Sequence, residues 1–125
     1  MQYNGQDMNL CMFSGTIVNS PTLTYDDKKN KDTSIPVLSI TIQQKTTNTL
    51  IPCIALGNFA IKLSCILTQN DCISIHSSFI PRNMDGKYVF RFLISYCVIT
   101  EKQVSPIPLS FQQDNNTLDL LHYLE

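Results

Sequence analysis

Tryptophan is absent, and charged side chains make up only 15% of the chain. Nine basic and ten acidic residues give a net charge of −1 and a pI near 6.0. A strongly basic nucleic-acid binder is thereby excluded, because each neutralised phosphate needs a nearby Lys or Arg, though a local patch is not. So few charges also leave little from which to build a catalytic centre. There is no P-loop, no GxSxG and no carboxylate pair on adjoining elements, so an enzyme is not expected.

No CxxC occurs either. Cys11, Cys53, Cys65, Cys72 and Cys97 are odd in number, scattered, and each set within an apolar run, and neither His76 nor His122 falls beside a cysteine pair. No metal or other cofactor is expected, and reduced, buried thiols in a cytoplasmic protein are the better reading. No apolar run reaches 18 residues, and residues Met1 to Asn9 lack a charged start followed by an apolar core. The chain is therefore expected neither to span a membrane nor to be exported by a standard signal.

What is present is enough apolar material, 43% of 125 residues, for one domain and a tail. The organising stretch is Leu50 to Leu67, a strand that runs into Gly57 and then a helix. Asn58 is the expected helix cap, and Phe59, Ile61, Leu63, Ile66 and Leu67 recur at roughly helical spacing up to Thr68. Before it, Leu10 to Val18 reads as a strand with a bend at Gly15, Leu23 and Tyr25 anchor a short extended piece, and Ile35 to Lys45 alternates with period two. After it, Cys72 to Pro81 and Tyr88 to Thr100 read as strands joined by Met84-Asp85-Gly86-Lys87, the strongest hairpin signal in the chain. In the last strand, Phe90 and Phe92 are expected in the core, on one face with Ile94 and Tyr96.

The division is a loose start over residues 1–7, a domain over residues 8–100, and an acidic, apolar tail over residues 101–125. Ser105-Pro106-Ile107-Pro108 is expected to break the tail, and Thr117 is the expected cap of one or two helical turns over the last nine residues. The fold class is all-β: a five-stranded OB-fold Greek-key barrel with one α-helix between the third and fourth strands.

Several words of the chain, in order, carry a resemblance. They are Met8-Asn9, Gly15, Pro21-x-Leu23-x-Tyr25, Leu38-Ser39-Ile40, Ile51-Pro52-Cys53-Ile54-Ala55, Gly57 and Asp85-Gly86-Lys87-Tyr88. From about Met8 to Ile99 the chain resembles the bacterial single-stranded DNA-binding protein family, as a divergent member. The resemblance implies single-stranded DNA as partner, assembly as a homo-oligomer, and neither cofactor nor catalysis. Family members stack bases on aromatic rings while Lys and Arg track the backbone. Here those aromatic positions fall on Leu50, Leu56 and Met84.

The candidate strand-binding set is accordingly Lys45, Leu50, Leu56, Arg82, Met84, Lys87, Tyr88 and Arg91. The cations are either phosphate contacts or ordinary solvated charges, and Tyr88 is either a stacking ring or a barrel-end core residue. Lys28, Lys29 and Lys31 alternate with Asp26, Asp27 and Asp32 and read as a self-neutralised loop. Leu50, Pro52, Ile54 and Leu56 form an apolar stripe on the face expected to meet solvent, which marks a binding surface. Two functions compete. One is non-sequence-specific binding of single-stranded DNA in replication, recombination or transfer, with a replication protein held by the tail. The other is an OB-fold protein-interaction module, an accessory subunit of a replication or mobile-element protein.

Overall fold

The computed structural model of the protein describes residues 8–26, 34–102 and 109–112. Its elements are β1 (Cys11–Ile17), β2 (Thr22–Asp26), β3 (Ile35–Gln43), β4 (Leu50–Leu56), α1 (Gly57–Ser64), β5 (Cys72–Met84), β6 (Lys87–Glu101) and β7 (Leu109–Gln112). β1 pairs with β5 through Cys11 to Thr16, then passes to β3 at Thr16 and Ile17. β3 pairs with β4, β4 runs parallel to β6 at Cys53–Phe92 and Ile54–Leu93, and β6 returns to β5. Five strands thus close a ring, with α1 between β4 and β5. This is the OB barrel that the element order foretold.

Alternation explains the filling. Leu38, Ile40 and Ile42 of β3, Ile51, Cys53 and Ala55 of β4, and Ile73 and Ile75 of β5 all point inward and are buried. α1 plugs the barrel with Phe59, Ala60 and Leu63, while Leu67 follows in the next turn. Ile61 stays at the surface. Each Leu, Ile or Phe side chain buried in this way contributes roughly 1.5–3 kcal/mol.

Two glycines make the closure possible. A Cβ on Gly15 would lie 2.5 Å from both the Gln43 carbonyl oxygen and Ile42 Cγ2, so only glycine lets β1 cross to β3 there. Gly57 has φ +69°, which turns the strand directly into the helix. The expected cap at Asn58 is corrected by that turn. Leu56 occupies the cap position without a side-chain hydrogen bond, and Asn58 already lies within the first turn.

β6 also departs from simple alternation. His76 pairs with Tyr96 but Ser77 with Ile94, so Ser95 is an extra residue on β6. The bulge turns Tyr96 outward beside the His76 ring, at 5.2 Å between centroids, and sends Ile94, Cys97 and Ile99 inward. Tyr96 therefore does not share the face of Ile94. Where β4 leaves the edge of β6, β7 takes it over, pairing from Tyr96–Gln112 to Ile99–Leu109. The tail thus contributes a strand that its proline-flanked sequence did not announce. Its expected terminal helix lies outside the described residues.

The end of β6 is pinned by an ion pair. Asp71, wholly buried, accepts the Lys102 ammonium at 2.8 Å, the Thr68 backbone N–H at 2.8 Å and the Thr68 hydroxyl at 3.0 Å. Lys102 also donates to the Ile66 carbonyl.

Candidate nucleic-acid interface

β5 and β6 outrun the barrel. Pairing with β1 stops at Ser77, and pairing with β4 reaches only Phe92, but the β5–β6 ladder continues to Met84–Lys87. Residues 80–91 therefore form a two-stranded arm. Its tip is Asp85-Gly86, with φ +53° and +82°, the two left-handed residues that a tight twisted hairpin requires.

Directly opposed residues of an antiparallel pair share a face. The register therefore sorts the arm into two unlike surfaces. Arg82 lies opposite Val89, Met84 opposite Lys87, and Ile80 opposite Arg91. This face continues the outside of the barrel. Pro81 lies opposite Phe90, Asn83 opposite Tyr88, and Phe79 opposite Phe92, and this second face continues the inside. Cations occupy the first face and rings the second.

Of the eight candidate residues, Arg82, Met84, Lys87 and Arg91 come together on the outer face of the arm. Leu50 joins that side on β4, opposite Gln43 and 59% exposed. Lys45 is exposed in the turn between β3 and β4 and lines an open cleft of about 300 Å³, with Ser14, Thr16, Cys72 and Thr100 among its walls. Tyr88, 65% exposed, projects from the opposite face of the arm, apart from the cations. Leu56 requires a correction. It is 0% exposed and packs with Ile35, Ile54, Ile80 and Leu93 in a second apolar cluster on the outside of the barrel. The apolar stripe is thus open only at Leu50 and Pro52, and sealed at Ile54 and Leu56.

Phe90 requires the opposite correction. Its parity matches Phe92, as alternation indicated, yet it is 56% exposed because the arm has already left the core beneath it. Its ring stands 5.3 Å from that of Phe79, which lies 5.6 Å from Phe92, which in turn meets Phe13 edge-on at 4.9 Å. A column of rings therefore climbs from the core onto the arm. Tyr25 is 58% exposed on β2, and Lys28, Lys29 and Lys31 lie outside the described residues.

All five cysteines are free thiols. Burial, and secondarily a neighbouring thiol, pushes Cys53 up to about 12. Burial and then Asp71 do the same for Cys97. Neither supplies a thiolate near neutrality. Cys65 is exposed, which corrects the expectation that every thiol is buried. Among the described residues no group of three or more His, Cys, Asp or Glu is placed to hold a metal ion, and no helix is long and apolar enough to cross a membrane.

No protein-family model matches the chain, and no curated protein does. Among solved structures, the SSB domain of a Synechococcus sp. protein is similar in shape. It superposes with a TM-score of 0.60 at 18% identity, covering 74% of this chain and 96% of that one. The fold is an SSB-like OB barrel. Identity this low establishes architecture alone, so the use of the surface has to be argued from its own side chains.

Proposed function

We propose that this chain is a diverged member of the single-stranded DNA-binding family and binds single-stranded DNA without regard to sequence. The observation that carries this reading is the placement of Arg82, Lys87 and Arg91 on one face of a projecting arm. A strand laid across that face meets three cations and a wall of apolar side chains, and no hydrogen-bonding pattern that selects a base. Binding of this kind is led by the phosphates and is therefore salt-dependent. Lys45 adds a fourth cation from the turn after β3. The work belongs to replication, recombination or transfer in the cytoplasm, with the chain assembled as a homo-oligomer. The tail of residues 101–125 is the segment that would hold a replication protein.

One observation favours the second reading, an OB-fold protein-interaction module serving as an accessory subunit. The cationic face of the arm holds no aromatic ring, and two positions of the apolar stripe are sealed. Titration of a fluorescently labelled oligothymidylate at two salt concentrations separates the two. Salt-sensitive binding supports the first, and no binding at low salt leaves the second.

A further inference from the structure

The outer face of the sheet is sealed over one patch. Ile35, Ile54, Leu56, Ile80 and Leu93 project outward from four strands, and none is more than 8% exposed. Every apolar side chain described in this cluster belongs to β3, β4, β5 or β6, and α1, β1, β2 and β7 contribute none. Neighbours on one sheet shield each other's flanks but not their tips, which need a second layer above them. The seal is also local. Leu50 on the same face of β4, and Met84, Lys87 and Val89 farther out on the arm, stay exposed.

β7 is aimed at this patch. Its register descends β6 from Ile99 to Tyr96, toward Leu93, where β4 already holds the sheet edge through Ile54. A chain continuing past Gln112 cannot stay in the sheet there. The inner face is filled by the barrel core, so the outer face is the one within reach. About 10 Å separate Tyr96 from Leu93 along β6, a distance that the polar residues 113–116 can span when extended. Thr117 to Leu124 follows, with Leu120, Leu121 and Leu124 at helical spacing and Leu118 three positions before Leu121. As a helix this run is about 12 Å long, close to the roughly 14 Å across β3, β4, β6 and β5.

We propose that residues 117–124 of this same chain are the cover, with their leucines seated on the outer cluster. The other segments outside the described residues fit it less well. Residues 27–33 read Asp-Lys-Lys-Asn-Lys-Asp-Thr and bring no apolar side chain, and residues 1–7 offer only Met1 and Tyr3. Residues 103–108 are tied between the end of β6 and the start of β7, at the far end of β6 from Leu93. Charge agrees with the choice. Beyond Lys102 the chain carries Asp114, Asp119 and Glu125 but no Lys or Arg, while half-buried Arg91 borders the cluster opposite Ile80. The seat is independent of strand binding, since it ends at Ile80 and leaves the tip of the arm open.

The test is a double-mutant cycle in urea on the full chain, pairing Leu121→Ala/Leu124→Ala in the tail with Ile54→Ala in the cluster. The tail change alone should lower the urea midpoint. Combined with Ile54→Ala its cost should shrink, a coupling of about 2- to 150-fold in the unfolding constant. Combined with Ile75→Val in the barrel interior, the two costs should simply add. A second measurement uses Ile80→Cys and maps thiol labelling by peptide mass. The introduced thiol should be protected in the presence of the natural tail and should lose that protection with the tail change. Additive costs with Ile54→Ala, an unchanged midpoint, or protection that survives the tail change would each overturn the assignment. Protection that grows with protein concentration and ignores the tail would give the face to a second copy of the chain, and would overturn it as well.

Discussion

Lys87 and Tyr88, neighbours in sequence, stand on opposite faces of one arm: Lys87 is paired across to Met84, and Tyr88 to Asn83. A strand's period of two imposes this separation. Any ligand that needs both residues must therefore reach around an edge of the arm and cannot lie flat on one face. That constraint organises the expectations for the molecule's surface.

Leu50 and Leu56 occupy equivalent outward positions on β4 but should respond oppositely to the same change. Leu50→Tyr is expected to fold normally and to tighten oligothymidylate binding, because it sets a ring beside the cationic face at an exposed position. Leu56→Tyr forces a larger, polar-tipped ring into a filled cluster and should cost about 1–3 kcal/mol or more. Urea unfolding of both variants, with the binding titration repeated on Leu50→Tyr, checks the contrast.

Gly15→Ala should be more harmful than an ordinary surface substitution. The new methyl group meets the Gln43 carbonyl oxygen at 2.5 Å, a backbone atom already engaged in barrel closure. A loss of about 1–3 kcal/mol is expected from overpacking, read as a lower midpoint in urea. Stability equal to the natural chain would show that β1 does not cross to β3 where described.

Much of this architecture was legible in the sequence, for identifiable reasons. Inward residues such as Leu38, Ile40, Ile51 and Cys53 follow strict alternation, and Gly57 and Asp85-Gly86 are local signals that need no distant partner. The errors share a different origin. Leu56 has the outward parity expected of it, but it is covered by side chains from β3, β5 and β6, and packing across strands leaves no periodic trace. Phe90 has the inward parity expected of it, but whether core lies beneath depends on where β1 and β4 stop. The extra residue at Ser95 shifts Tyr96 to the other face, and nothing in the run Ile94-Ser95-Tyr96 announces a bulge. Lys102 gave no sign of its partner, since Asp71 lies 31 positions away and is recognisable only once it is buried.

That ion pair gives a stability prediction of its own. Lys102→Met removes the ammonium that pairs with the wholly buried carboxylate of Asp71 and so breaks a buried ion pair. Losses of about 3–5 kcal/mol are typical of such breaks. Replacing both residues by apolar ones should recover much of the loss. Thermal and urea unfolding of the single and double variants distinguishes this from a surface contact, whose removal costs about 1 kcal/mol or less.

The buried thiols set an alkaline limit. Cys53 and Cys97 move from an ordinary 9.0 to about 12 on folding. Below pH 9 both are protonated in the folded and the unfolded chain and add no pH dependence. Above pH 9 the unfolded chain releases protons that the folded chain keeps until about 12, so stability falls as pH rises through that window. Cys53→Ala together with Cys97→Ala should flatten this part of the curve while lowering stability at every pH through the cavities left behind. A thiol reagent at pH 8 should label exposed Cys65 first and reach Cys53 and Cys97 only on unfolding.

The placement of Arg82, Lys87 and Arg91 on one face is the basis for strand binding, and a salt titration tests it most directly. Affinity for a fluorescent oligothymidylate is measured from low to physiological salt, for the natural chain and for Arg82→Gln/Lys87→Gln. With about four phosphates neutralised, the natural chain should show a slope of log K on log salt of about −3, and the double variant a slope shallower by about 1.4. A natural chain that fails to bind at low salt, or a double variant with an unchanged slope, would contradict a phosphate-tracking role for the arm.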